Sequence, residues 1–246
     1  MAWNRLAWLK DRHRGQRCVI VANGPSLNRM DLRFLRHEHV IGMNKIHLGF
    51  ATLGIYPRYY VVVNPKVAEQ SAAEIRALNC VRFVGARAAR AAGLQDDALT
   101  HVVQTESPPA RFSTDLSAGV HEGWTVTHVA LQVAYHLGYT DTVLIGLDHR
   151  YSYQGPPNAE ATLQGPDPNH FSDRYFGYGQ RWDNPDLAQS EVSYRAALAA
   201  HQRDGRRVRD ATVDGACTVF PKLDYRALPA ERAAQPTSSR QARPCA

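Results

Sequence analysis

A chain of 246 residues with 44% hydrophobic and 9% aromatic residues can bury the core of one large domain, which excludes a disordered or fibrous protein. Its 29 Lys+Arg outnumber 23 Asp+Glu by six, yet Arg226, Arg232, Arg240 and Arg243 against Glu231 place half of that excess in the last 21 residues. The body is only mildly basic and carries no Lys/Arg block interleaved with aromatics, which argues against nucleic acid and leaves room for an anionic phosphate.

Residues 1–14 read as a short amphipathic helix, with Trp3, Leu6, Ala7 and Lys10 at helical spacing. Its apolar side is expected to pack on the domain or a partner, with peripheral membrane contact as the alternative. Strand-like runs follow at 18–22, 39–43, 59–63, 81–84, 142–147 and 207–209. Their β-branched residues without polar alternation suit strands covered on both faces. A helix is predicted where Val126, Val129, Ala130, Val133, Ala134 and Leu137 share one face, with Gly138 as its stop. A second opens at Asn184-Pro185-Asp186, with Asn184 as the cap, and runs to about Gly205. Residues 150–183 are rich in Gly, Pro, Tyr, His and Asp without periodicity, as in a lid. From 228 onward the Ala/Arg/Ser/Pro composition reads as a disordered tail.

This alternation predicts an α/β fold: a single doubly wound, Rossmann-like, mostly parallel sheet over residues 15–227, with helices on both faces and an irregular lid. Cys18, Cys80, Cys217 and Cys245 show no metal or disulfide spacing, as expected in a reducing compartment. No run approaches the roughly 18 apolar residues of a membrane span. Arg5, Lys10, Asp11 and Arg12 interrupt any signal-peptide core. The expected location is cytoplasmic, with contact at the inner membrane if the first helix supplies it.

The run Cys18–Ala22 empties into Asn23-Gly24-Pro25-Ser26-Leu27, at the edge where open α/β sheets bind ligands. Gly24 lets backbone approach a ligand, and Ser26 is expected to cap a following helix. Asn44, Asn64 and Asp148 recur at other strand ends, and parallel strands would bring all of them to one edge. Amides suit a base, a ribose or a phosphate because they donate and accept without a counter-charge. Thr125 and Thr127 open the clearest helix, whose N-terminus favours anions. Asp148-His149-Arg150-Tyr151-Ser152-Tyr153 could set a cation and phenols over a phosphate, and His170 in the lid is the candidate general base. His13, His37, His39 and His201 read as surface residues. No GxxxxGK[ST], GxGxxG or HExxH pattern is present, so neither those phosphate loops nor a metal is indicated.

The Asn-Gly-Pro-Ser-Leu turn, Asn44, Val63-Asn64-Pro65, and the stretch from Thr125 through Leu137-Gly138-Tyr139 to Ile145-Gly146-Leu147-Asp148 resemble the bacterial lipooligosaccharide sialyltransferases. The blocks 19–27 and 125–148 carry most of the likeness. The chain is also similar to the broader MptE-like family, which includes a pterin diphosphokinase and motility-associated flagellin glycosylation proteins. The sialyltransferase resemblance implies that Asn23, Asn44 and Asn64 contact the donor of a cytidine-monophosphate sugar. It implies Thr125 and Thr127 along the nucleotide and Asp148 at its ribose or base. Read beside these residues, the turn with Gly24 and Ser26 is expected to form the first wall of that site. A tyrosine of the pattern is replaced by Arg150, with Tyr151 and Tyr153 nearby, and a serine by Val126. An ungapped reading puts Arg181 at the family's base histidine, and a shift supplies His170.

The function implied is a transferase of nucleotide-activated sugars in surface-glycan synthesis, needing no cofactor, with a glycan acceptor as second substrate. His170 would take the acceptor proton, and Arg150 or Tyr153 would offset charge on the leaving phosphate. The alternative within the family is a 6-hydroxymethylpterin diphosphokinase using ATP and magnesium. A third reading is a non-catalytic nucleotide-binding module.

Overall fold

The computed structural model describes residues 5–106 and 111–233. In chain order the helices are α1 (Arg5–Leu9), α2 (Phe50–Leu53), α3 (Pro65–Gln70), α4 (Ala72–Ala77), α5 (Ala86–Ala92), α6 (Val126–His136), α7 (Leu187–Arg203) and α8 (Leu228–Ala233). The first five strands are β1 (Arg17–Val21), β2 (His39–Met43), β3 (Tyr59–Val62), β4 (Val81–Gly85) and β5 (Thr100–Val103). They are followed by β6 (Thr105–Glu106), β7 (Val120–His121), β8 (Asp141–Ile145), β9 (Glu160–Thr162), β10 (Arg181–Asp183) and β11 (Arg207–Asp210).

Seven strands form one parallel sheet in the order β11-β8-β1-β2-β3-β4-β5. From β1 the chain steps outward to β5, then crosses back through α6 to place β8 on the other side of β1. The strand order therefore reverses between β1 and β8, which creates a crevice at their carboxyl ends.

Successive strand residues point to opposite faces. Val19 and Val21 join one core with Tyr60, Val62, Val143 and Ile145, whereas Cys18 and Ile20 join another with Ile41, Met43, Val61 and Leu144. Helix α6 covers the second face through Val129, Ala130, Val133 and Ala134. The first face is covered in part by lid aromatics: Phe171, Tyr175, Phe176 and Trp182 belong to its core. The doubly wound sheet expected from the sequence is thus present, and Cys18, Cys80 and Cys217 are free, buried thiols. Among the described residues no helix is long and apolar enough to cross a membrane.

Several boundaries differ from expectation. Helix α1 ends at Leu9 and turns follow, held on the C-terminus of α6 by Asp11 N–H to His136 O (2.8 Å) and His13 N–H to Leu137 O (2.7 Å). Residues 1–4, including Trp3, lie outside the described residues. Strand β5 was not expected, because an edge strand with Thr100 and His101 lacks a continuous apolar run. The lid is not structureless: β9 and β10 pair antiparallel with Trp182 opposite Ala161. Asp186, not Asn184, caps α7 by accepting from Gln189 N–H, since Asn184 donates to Gln154 O and Pro156 O. His13 and His201, expected at the surface, are buried, and His13 bonds Tyr59 Oη at 2.7 Å.

The expected tail begins as helix α8, with Leu228 wholly buried. An ionic network fixes α8 to the amino edge of the sheet. Arg17 pairs with Glu38 and Glu231, and Arg209 with Asp141 and Glu231. Residues 234–246, the remainder of that tail, lie outside the described residues.

Candidate functional site

The turn after β1 meets the end of β8 at the point where strand order reverses. Gly24 N–H donates to Gly146 O at 2.9 Å, and Asp148 accepts from Ser26 N–H (3.1 Å) and Ser26 Oγ (2.6 Å). Ser26 therefore caps no helix; the short 3-10 turn Pro25–Arg29 has Gly24 at its N-cap without a side-chain bond, and the serine instead orients Asp148. Gly24 is required by close approach: a Cβ there would lie 1.8 Å from Asp148 Oδ2 and 2.7 Å from Gly146 O. Burial raises the Asp148 pKa, against the Ser26 bonds that lower it.

Above this turn lies a cavity of about 510 Å³. Asn23, Gly24, Asn44, Asn64, Thr125, Thr127, Asp148 and His170 all line it, so residues spread over 148 positions converge there. Asn23 Nδ2 donates to Met43 O (3.3 Å), which fixes the amide and leaves the buried Oδ1 without a partner. Asn44 has φ +50°, and its Oδ1 is also buried and unpartnered. The Asn64 side chain is engaged locally, where its Oδ1 caps α3 by accepting from Lys66 and Val67 N–H. Thr125 caps α6 by accepting from Thr127 N–H, His128 N–H bonds Thr125 O at 3.0 Å, and Thr125, Val126 and Thr127 bring that helix start to the cavity wall.

The lid closes over the crevice by donating Phe171 N–H to Asn23 O (2.9 Å) and receiving Asn28 Nδ2 at Phe171 O (2.8 Å). His170 stacks on Tyr175 at 3.9 Å between ring centroids, with Phe176 edge-on at 5.3 Å. Its Nδ1 bonds Asp167 Oδ2 at 2.8 Å. Asp167 is wholly buried and also accepts from Asn169 and Phe176 N–H. Burial alone would raise the Asp167 pKa; the His170 bond and these amides outweigh it and hold the carboxyl below its usual range. With Nδ1 occupied, Nε2 is the ring nitrogen left to meet a substrate.

Two expected residues fall elsewhere. Arg150 is solvent-exposed and does not line the cavity, and Tyr153 packs edge-on against Trp182 instead. The phenols on the wall are Tyr151, Tyr175 and Tyr194. Burial pushes the Tyr151 pKa up to about 12, so it remains a proton donor at neutral pH. Arg87, the only lysine or arginine on the wall among the described residues, is bonded to Glu122. Lys45 is buried behind the lid, donating to Tyr175 O (2.7 Å) and Gln180 and lying 4.7 Å over the Phe176 ring. Burial lowers its pKa to about 8.

Sequence reading missed Asp167, Arg87 and Lys45. Asp167 alone left a signal, its position three residues before His170. Among the described residues no group of three His, Cys, Asp or Glu is arranged as metal ligands. The wall carboxylates are each engaged: Asp148 by Ser26, Glu122 by Arg87, Asp183 by Lys66 and Asp186 as the α7 cap.

A family model described as 6-hydroxymethylpterin diphosphokinase MptE-like matches residues 2–154, more than half of the chain. The match includes the β1 turn and Asp148 but stops before Asp167 and His170. Among solved structures, the MAf glycosyltransferase from Magnetospirillum magneticum AMB-1 is similar with a TM-score of 0.53 at 14% identity, over 89% of this chain and 37% of that one. That likeness is one of fold, and this chain spans little more than a third of that protein. None of the curated proteins matches the chain.

Proposed function

Because the chain belongs to the MptE-like family, we propose that its cavity binds a nucleotide and that the protein is a transferase of nucleotide-activated sugars, with a cytidine-monophosphate sugar as donor and a glycan acceptor. The observation that carries this reading is the Asp167–His170 pair at a cavity built on the sheet's reversal point. A histidine oriented through one nitrogen presents the other as a base of fixed tautomer, as in hydrolase triads. His170 Nε2 takes the acceptor hydroxyl proton. The acceptor oxygen then bonds to the anomeric carbon, and the bond from that carbon to the phosphate oxygen breaks. Nucleoside monophosphate leaves with the electron pair, and Asp167 stabilises the resulting imidazolium. The leaving phosphate is met by the positive end of the α6 dipole and by the Tyr151 hydroxyl, in the role expected from the sequence of Arg150 or Tyr153. Asn23, Asn44 and Asp148 hold the nucleoside.

The family's description names a diphosphokinase, and four wall carboxylates favour testing magnesium–ATP as a second reading. The fit is poor: each carboxylate already has a protein partner, and a triphosphate would meet one arginine that Glu122 neutralises. A donor with a single phosphate charge suits amides and a helix start better. The test is donor turnover with His170→Ala and Asp167→Asn. Both variants are expected to bind nucleotide as wild type does and to lose roughly 10²–10⁴-fold in transfer rate. Full activity in a folded His170→Ala protein would overturn the assignment of the base.

A further inference from the structure

Glu122, Gly123, Trp124 and Thr125 form the turn at the mouth of the cavity. Gly123 and Trp124 have φ of +56° and +69°, and Thr125 N–H closes the turn on Glu122 O at 3.3 Å. Glycine and asparagine suit two successive left-handed positions, whereas a tryptophan pays a steric cost from its Cβ. Strain of this kind is tolerated where the side chain is needed. Packing does not need this one fully, since Trp124 is 39% exposed, yet its residue lines the cavity. Beside it Glu122 is turned inward. Its Oε2 accepts from Arg87, while Oε1 is buried without any hydrogen-bond partner.

We propose that Trp124, Glu122 and Arg87 form a subsite for the second substrate that takes a saccharide ring. The inference rests on the glycosyl-transfer reading above. An open indole accepts the C–H face of a pyranose, and an unsatisfied carboxylate oxygen accepts from its hydroxyls. A ligand that brings only acceptors, such as a phosphate, would be repelled by Glu122 Oε1 and is favoured instead at the positive end of α6. Arg87 holds the carboxylate in place and offers its remaining N–H groups to ring oxygens.

The experiment is saturation-transfer NMR on methyl glycosides of glucose, galactose, mannose and N-acetylglucosamine, with cytidine monophosphate present. Trp124→Asn puts a residue suited to the left-handed region in place of the indole, and Trp124→Phe keeps an aromatic face. Wild type is expected to saturate the ring protons of at least one glycoside. Trp124→Asn should weaken that glycoside about fivefold or more while Trp124→Phe retains part of the affinity. Nucleotide affinity should stay unchanged in both, and the Asn variant's Tm unchanged or higher. Equal glycoside binding by Trp124→Asn would overturn the subsite, as would wild-type protein that binds cytidine monophosphate and saturates none of the glycosides. Wild type that binds a glycoside but no nucleotide would keep the subsite and overturn the transfer reading.

Discussion

Gly24→Ala is the sharpest perturbation of the wall proposed to hold the nucleotide. The new methyl group would stand 1.8 Å from Asp148 Oδ2 and 2.7 Å from Gly146 O. Asp148 can escape only by swinging away, which breaks both bonds from Ser26; each bond to a charged group is worth about 1.5–3 kcal/mol. Gly146 O is backbone and accepts from Gly24 N–H, so the strand ends themselves must separate, at a further cost of about 1–3 kcal/mol. Even the lower ends of these ranges combine to about 4 kcal/mol, which corresponds to a fall of roughly 8 °C in Tm for a chain of this size. Thermal unfolding by circular dichroism reads the loss, and Ser26→Ala, which removes one bond without a clash, should fall between variant and wild type. A Gly24→Ala protein within about 2 °C of wild type would refute the close approach.

At the opposite edge of the sheet, Arg17→Met would take from the Glu38 carboxylate its buried partner, each side chain being 1% exposed, and leave it only the more exposed Arg232 at 3.2 Å. Breaking such a buried pair costs about 3–5 kcal/mol and should lower the urea midpoint clearly, whereas an unchanged midpoint would deny the network its role in seating α8. Acid should unfold the protein early, because burial lowers the pKa of His13, His128 and His201 from 6.5 to about 4. Each takes up its proton more readily once unfolded, so stability is level above pH 6.5 and falls as pH drops towards 4. A Tm at pH 4.5 equal to that at pH 7.5 would contradict this.

The sheet was legible because β1, β2, β3 and β8 are buried on both faces and read as unbroken apolar runs, while α6 carries a clear helical face. The edge strand β5 was not, since its first two positions are Thr100 and His101, polar residues that are buried in the fold but break the apolar run. The amides at strand ends were legible by topology alone: once the sheet is parallel, Asn23, Asn44, Asn64 and Asp148 must share an edge. Their partners were not, because contacts between Ser26 and Asp148, or Glu122 and Arg87, depend on loops whose paths no local pattern encodes. The same limit misplaced Arg150 and Tyr153, where a difference of two residues in an aperiodic loop decides between cavity, solvent and Trp182. His170 was singled out by its chemistry, and Asp167 offered only its position three residues earlier, the bond between them being visible in the folded lid alone.

The crevice between β1 and β8 is proposed as a nucleotide site for a donor carrying one phosphate. Isothermal titration calorimetry with cytidine monophosphate in the presence of EDTA tests it directly. Saturable binding at one site per chain is expected, weakened when Asn23 or Thr125 is replaced by alanine. Heat with ATP and magnesium alone, and none with cytidine monophosphate, would contradict it.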